Sequence, residues 1–364
     1  MIEKNSREVE KQESPPVITL KAEDLKPGMK TARAIINKYG GILMPAGVIL
    51  TQSQVNKLKK LSLVEFEILA EDERMLSENL ARIKRLEANY QEKAKNAATL
   101  FKRAISGKID FKEVEGLTEE VKDLSREIEL KDLLSIVRKA DEYTYTHLLH
   151  VGILANMFGH WLNLRAEEIH NLTKAGLLHD IGKAKIPDKI LNKKGSLSPR
   201  EYQRIKKHPL YGYEMVKEHS NIADSTAKGI LTHHEKYNGM GYPLELRGKK
   251  IPLLGRILAI VDTFDAIVAE RVYKPARSPF EALLIFREES FGHYDYELKK
   301  VFIAKMPECF VRVKVILNNG KEAEIVFINP NKPEHPIIKV EDKYIDLYNA
   351  EGLKIEAIAK GDKG

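Results

Sequence analysis

One cysteine, Cys309, occurs in 364 residues. An intrachain disulfide is thereby excluded, and so is a metal site built from several thiolates. A reducing cytoplasm is the expected setting. Long apolar runs are also missing. No stretch approaches the ~18 apolar residues that cross a bilayer, so no membrane span is expected. The first sixteen residues, MIEKNSREVEKQESPP, have no apolar core and read as a disordered polar tail rather than a secretory signal. Aromatics are sparse at 7%, and the basic residues are scattered rather than interleaved with them; a nucleic-acid surface is not expected. The net charge of +7 suits a phosphorylated ligand, although Lys and Glu are mixed along the chain as on an ordinary solvated surface.

The length exceeds one ordinary core and implies two or three domains. From Val17 short apolar runs alternate with turn signals at Pro27-Gly28, Gly40-Gly41 and Pro45 to Gly47. TQSQVNKLKKL reads as a short helix capped by Thr51, and VEFEIL as a strand. Residues 17–70 are therefore expected to form a small α+β module. Residues 71–117 read as a helical linker. Within it Leu76, Leu80, Ile83, Leu86, Tyr90, Ala94, Ala97, Phe101 and Ala104 recur at three- and four-residue steps, and Ser106-Gly107-Lys108 closes the helix. Two readings stand for its apolar stripe: a coiled coil that makes a homodimer, or a face laid on its own chain. The small alanines favour the second. Residues 118–308 are mostly helical in pattern. Residues 309–364 turn β-rich, with a hairpin about Asn318, Asn319 and Gly320 and further strand signals in IIKV and LKIEAI. The fold class is mainly α, a helical bundle flanked by the α+β module and a short β-rich extension.

Against this background stand two runs, HDIGK from His179 and HHEKYNGMGYP from His233. Adjacent His-Asp and His-His pairs are rare in a structural core, and imidazole with carboxylate is a ligand set for Mn, Fe or Zn in hydrolysis. His147, His208 and Asp262 join His179, Asp180, His233 and His234 at helix-plus-loop intervals of 25 to 32 residues. In a bundle each interval moves to a new helix, so five helices could present their ligands to one interior point. Seven ligands suffice for two ions. His147, His179, Asp180 and Asp262 would hold one; Asp180 as bridge with His208, His233 and His234 would hold the other. Without thiolates and with a bridging carboxylate, Mn or Fe is favoured over structural Zn. Lys183, three residues after Asp180, can face the ions and neutralise a phosphate oxygen. Gly182 would permit a close approach by backbone or ligand. The remaining histidines, His150 among them, read as structural.

These runs, with PDKILNKKGSLSPREYQRIKKHP between them and AIVDTFDAIVAERVYKPARSPFEAL after them, resemble the HD-GYP family, a branch of the HD phosphohydrolases. The resemblance covers about residues 125–308 in the family's motif order. It implies a cytoplasmic, metal-dependent phosphodiesterase that hydrolyses cyclic di-GMP to pGpG, and often on to GMP, by attack of a metal-bridging hydroxide. It also implies that the seven residues above are the ligands of two divalent ions, Fe or Mn. Lys183, Arg271 and Lys274 match the residues that hold substrate phosphates. Gly241, Tyr242 and Pro243 match the GYP signature, implicated in substrate-loop shape and in docking GGDEF-type diguanylate cyclases.

Three departures are visible. Asn238 stands where the family has Asp, Met240 where a small residue is usual, and Arg271-Val272-Tyr273 replaces Arg-Pro-Tyr. Some members hold a third ion through a Glu one turn before the first His. Here that position is Tyr143, with Glu142 one residue off the face, so a binuclear site is expected. Two other readings remain open: a related enzyme acting on another nucleotide, and an adapter that docks diguanylate cyclases through the GYP loop.

Overall fold

A computed structural model of the chain describes residues 17–22, 25–32, 35–36, 42–44, 47–59, 65–69, 73–130, 133–134, 143–193, 195–268, 278–288, 292–341 and 343–358. The expected polar tail at 1–16 and the Gly40-Gly41 loop lie outside these residues. The chain divides into two compact units, one of residues 1–83 with 360–364 and one of residues 84–359.

In the first unit β1 (Val17–Lys21), β5 (Glu65–Leu69) and β2 (Lys30–Thr31) form an antiparallel sheet in the order β1-β5-β2. β3 (Ile35–Ile36) and β4 (Ile42–Met44) pair separately. The intervening helix α1 (Gln52–Leu58) starts where the sequence places its cap. The Thr51 hydroxyl accepts the Gln54 N–H at 3.2 Å, and Gln54 Oε1 accepts the Thr51 N–H at 2.8 Å. This reciprocal pair satisfies two of the donors that every helix start leaves open. Leu25, Val48, Leu50, Val55, Leu58, Phe66 and Ile68 fill the core of this unit.

The second unit is the helical bundle expected from periodicity. Helix α2 (Glu73–Ile105), which belongs to this unit from residue 84 on, is followed by α3 (Phe111–Glu127), α4 (Tyr143–Trp161) and α5 (Ala166–Leu178). A 3-10 turn, Ile181–Lys185, leads to the short α6 (Asp188–Leu191) and α7 (Pro199–Ile205), then to α8 (His208–Val216), α9 (Asp224–Thr232) and α10 (Leu253–Val268). α11 (Pro279–Glu288) and α12 (Tyr296–Glu308) complete it. α4 packs on α5 and α10, and α9 packs on α5, α8 and α10. α4 is apolar nearly all round, as a central bundle helix must be: Leu148, Leu149, Val151, Ile153, Leu154, Ala155 and Phe158 are all buried.

Leu86, Tyr90, Ala94, Ala97, Phe101 and Ala104 of α2 are buried in this same core. The stripe thus lies on its own chain, the second of the two readings given above. The side chains of Leu76, Leu80 and Ile83 lie outside the described residues. After α12 the chain forms a five-stranded antiparallel sheet in the order β10-β6-β7-β8-β9, made of β6 (Lys314–Leu317), β7 (Glu322–Phe327), β8 (Ile337–Val340), β9 (Lys343–Asp346) and β10 (Ile355–Ile358). The Asn318–Gly320 hairpin joins β6 to β7 as its sequence predicts. Alternation along β6 and β8 turns Val315, Leu317, Ile338 and Val340 inward to the helices' core. No helix among the described residues is long and apolar enough to cross a membrane.

Candidate metal centre

The seven predicted ligands converge. α4 supplies His147 from its second turn, and Asp262 lies on α10. His179 is the C-cap of α5, with Asp180 next to it; His208 opens α8; His233 is the C-cap of α9, with His234 next to it. Five helices therefore meet here, mostly by their ends, where the backbone turns away and leaves room for side chains to point inward. Ligand atoms of His147, His179 and Asp262 lie within 4.8 Å of one another, and so do those of Asp180, His208, His233 and His234.

Asp180 connects the two groups. Its Oδ2 lies 3.4 Å from His179 Nε2 and 3.7 Å from His147 Nε2, and its Oδ1 lies 3.1 Å from His208 Nε2. Each oxygen thus faces a different half of the cluster. Asp262 spans it more loosely, with Oδ1 3.1 Å from His147 Nε2 and Oδ2 3.9 Å from His234 Nδ1.

The rings are held in one tautomer from behind. The Nδ1–H of His179 donates to the Gly176 carbonyl at 2.7 Å, that of His208 to Ile205 at 2.8 Å, and that of His233 to Ile230 at 2.7 Å. Each carbonyl lies three residues back in the chain, a bond available to a histidine at a helix end. His147 Nδ1 instead meets the Asp265 carboxylate at 2.7 Å. With Nδ1 protonated, the neutral ring presents a bare Nε2, the arrangement metal-bound histidines adopt. His208 Nε2 and His233 Nε2 then face each other at 3.2 Å. Two lone pairs at that distance repel unless a cation or proton lies near both. Among the described residues His179 Nε2 and Asp180 Oδ1 are buried and without a hydrogen-bond partner, a costly condition that a cation would relieve. On these observations the residues fit divalent metal ions.

The electrostatics agree. Burial opposes the charge on Asp180, but Lys183 and His179 overcome it and hold the carboxyl well below its usual range. Asp262 is likewise depressed against its burial, chiefly by His147 and His179. Burial drives His233 far down and His234 down to about 3, so both rings are neutral near pH 7, as a metal-binding imidazole must be. Burial alone would lower His147 too, yet Asp262 and Asp265 lift it to about 10. Positive charge is favoured between those carboxylates, and a divalent ion answers the same demand.

Lys183 reaches the cluster as its spacing predicts, Nζ lying 2.5 Å from Asp180 Oδ2. Its element is a 3-10 turn, whose three-residue repeat stacks position 183 directly on position 180. Gly182 is needed by backbone and not by a ligand: a Cβ there would sit 2.0 Å from the His208 carbonyl oxygen and 2.4 Å from Gly212 N. That contact brings α8, and with it His208, against the His-Asp turn.

The loop after His234 folds over the cluster's rim. The Tyr242 ring lies 4.8 Å from that of His234 at 35°, and Lys206 Nζ lies 5.0 Å from its centroid. Burial pushes the Tyr242 phenol far up, so it stays neutral. Gly241 has no room for a side chain, since a Cβ would meet Lys236 N at 2.2 Å. The Tyr242-Pro243 peptide bond is cis. Asn238 Oδ1 accepts the Met240 N–H at 3.0 Å, while the Met240 side chain is 75% exposed. Arg271, Lys274 and Glu142 lie outside the described residues.

Four residues here stand outside the predicted set, among them His150, which the sequence marks only as structural. Asp265 and His150 each lie one turn after a predicted ligand on the same helix, Asp262 and His147, a repeat that marks the same face. Glu235 is buried and accepts the backbone N–H groups of Leu244 and Leu246 at 2.7 and 3.0 Å. Its place in the HHE run gave a signal. Tyr90 gave none beyond its place in an apolar stripe.

Residues 124–298 match the HD domain family. The chain is 36% identical over 191 residues to a cyclic di-GMP phosphodiesterase of Pseudomonas aeruginosa, covering 52% of this chain and 46% of that one. It is 32% identical over 199 residues to a 3'3'-cGAMP-specific phosphodiesterase of Vibrio cholerae, covering 54% of this chain and 38% of that one. The match thus spans less than half the length of each. Among solved structures, Bd1817, a HDG"Y"P protein from Bdellovibrio bacteriovorus, superposes with a TM-score of 0.50 at 18% identity, covering 79% of this chain and 98% of that one, a likeness of fold. These matches support the HD-GYP resemblance read from the motifs.

Proposed function

We propose that this protein is a metal-dependent phosphodiesterase that hydrolyses cyclic di-GMP, with residues 118–308 as its catalytic domain. The observation that carries the reading is Asp180, which turns Oδ2 toward His147 and His179 and Oδ1 toward His208, so that one carboxylate could serve both groups of ligands. His147, His179, Asp180 and Asp262 would hold one ion, and Asp180, His208, His233 and His234 the other. The absence of thiolates and the shared carboxylate favour Fe or Mn. The chemistry such a pair supplies is Lewis-acid activation of water and of a phosphoryl oxygen.

The chain's own residues do the rest. Lys183 is a half-buried cation beside the cluster and is placed to neutralise a phosphate oxygen as charge grows on it. Arg271 and Lys274, from outside the described residues, would hold the second phosphate. Tyr242 walls the site beside His234 and offers its ring to a guanine. Water adds across one P–O3′ bond, leaving linear pGpG with a new 5′-phosphate; a second round on the other phosphodiester would give GMP. The lone cysteine and the proposed substrate both support a cytoplasmic setting.

A second reading is favoured by one observation. The match to a 3'3'-cGAMP-specific enzyme covers a similar share of the chain, so a mixed cyclic dinucleotide is the competing substrate. Turnover of cyclic di-GMP, 3'3'-cGAMP and pGpG by anaerobically purified, Mn²⁺- or Fe²⁺-loaded protein decides between them. Cyclic di-GMP should give the highest kcat/KM. A higher value for 3'3'-cGAMP would transfer the assignment, and no turnover of either would favour an adapter role.

A further inference from the structure

A line of buried polar side chains runs from α2 to the metal cluster through an otherwise apolar core. Tyr90, His150 and Asp265 are all but inaccessible to solvent. The Tyr90 hydroxyl touches His150 Nε2. On the other side of that ring, Nδ1 lies 3.2 Å from Asp265 Oδ1. The second oxygen of Asp265 takes His147 Nδ1 at 2.7 Å, leaving His147 Nε2 aimed at Asp262 and Asp180.

The donor and acceptor roles close in one way. A carboxylate only accepts, so both imidazoles must donate to Asp265 through Nδ1–H. His150 Nε2 is then bare and needs a donor. Tyr90 supplies it; burial and the nearby Asp265 charge keep the phenol protonated. A phenylalanine would fill the same space in α2 but would leave the buried His150 nitrogen unpaired. A core helix that needed only apolar contact has no use for this hydroxyl.

We infer that Tyr90, His150 and Asp265 are positioning residues that fix the tautomer and aim of His147, so that α2, outside the matched HD region, completes the support of one metal ion. The inference rests on the two-ion reading of the cluster. None of the three touches substrate. They act only through His147, which belongs with His179 and Asp262 and not with the His208, His233 and His234 group.

The relay therefore predicts a selective effect. Calorimetric titration of the metal-free full chain with Mn²⁺ should show two equivalents. Asp265→Asn should weaken one of them about 10- to 100-fold, the range for removing a partner of a ligating histidine. Tyr90→Phe should weaken that same equivalent about fivefold, the worth of one neutral hydrogen bond. In both variants the other equivalent keeps its wild-type affinity. A purely structural role would loosen both equivalents together, and that outcome, or unchanged affinity in both variants, overturns the relay. If Asp265→Asn fails to fold, Tyr90→Phe alone carries the test, because it keeps the ring. A wild-type chain that takes up no Mn²⁺ overturns the metal-centre reading itself, and the relay with it.

Discussion

Glu235 and Leu244 are nine residues apart and directly joined: the carboxylate accepts the Leu244 backbone N–H at 2.7 Å and with its other oxygen accepts that of Leu246 at 3.0 Å. Burial pushes the Glu235 carboxyl upward, while these backbone donors pull the other way. The pair closes the loop that carries Tyr242. Glu235→Ala strands two donors, each costing about 1–3 kcal/mol where buried, and should lower the melting temperature by several degrees. Glu235→Gln keeps one acceptor and should lose about half as much. Calorimetric melting of both variants checks the clasp, and an unshifted Glu235→Ala would remove it.

Asp180 offers one oxygen to each half of the cluster, so its loss should empty both. Asp180→Ala is expected to bind neither ion at stoichiometric Mn²⁺ and to lose turnover by more than about 100-fold, since removing partners beyond the ligands already costs about 10–100-fold. Elemental analysis of the purified variant beside its turnover is the check. Two retained ions with full activity would refute the bridging role.

Asn238 departs from the family's Asp, yet its side-chain oxygen accepts the Met240 N–H at 3.0 Å. Both residue types provide that acceptor. Asn238→Asp should therefore leave stability within about 0.5 kcal/mol and kcat/KM within about twofold of wild type, a change of the same size. A large gain in kcat would show instead that the charge matters to the reaction.

Cys309 is the one thiol, and burial pushes it up to about 11. The reactive form is the thiolate, which at pH 8 amounts to about one thiol in a thousand, against about a quarter for an unperturbed cysteine. Alkylation by iodoacetamide should therefore run roughly a hundredfold or more below that of a free thiol at pH 8. The rate should rise about tenfold per pH unit up to pH 10. Mass spectrometry over a pH series tests both, and fast modification at pH 8 would contradict the burial effect.

Much of this architecture is legible in the letters because it is local. The capping pair of Thr51 and Gln54, the hairpin at Asn318 to Gly320 and the buried stripe of α2 all follow from residues within a few positions of one another. β9 was not foreseen: KYID has only two of four residues apolar, and its position is set by pairing with β8. The role of Gly182 stayed ambiguous for the same reason, since the atoms that crowd it belong to His208 and Gly212.

By itself the sequence marked out seven candidate ligands, imidazoles and carboxylates at helix-plus-loop intervals, and their placement on five helices. Only the tertiary structure decided which oxygen of Asp180 faces which half, which carbonyl holds the Nδ1 of His179, His208 and His233, and that Tyr90 and Asp265 stand behind His147. Chemistry of a residue and its periodic face are properties of short segments. The bonds that orient these side chains join residues 60 and 118 positions apart, and such pairings exist only once the helices have packed.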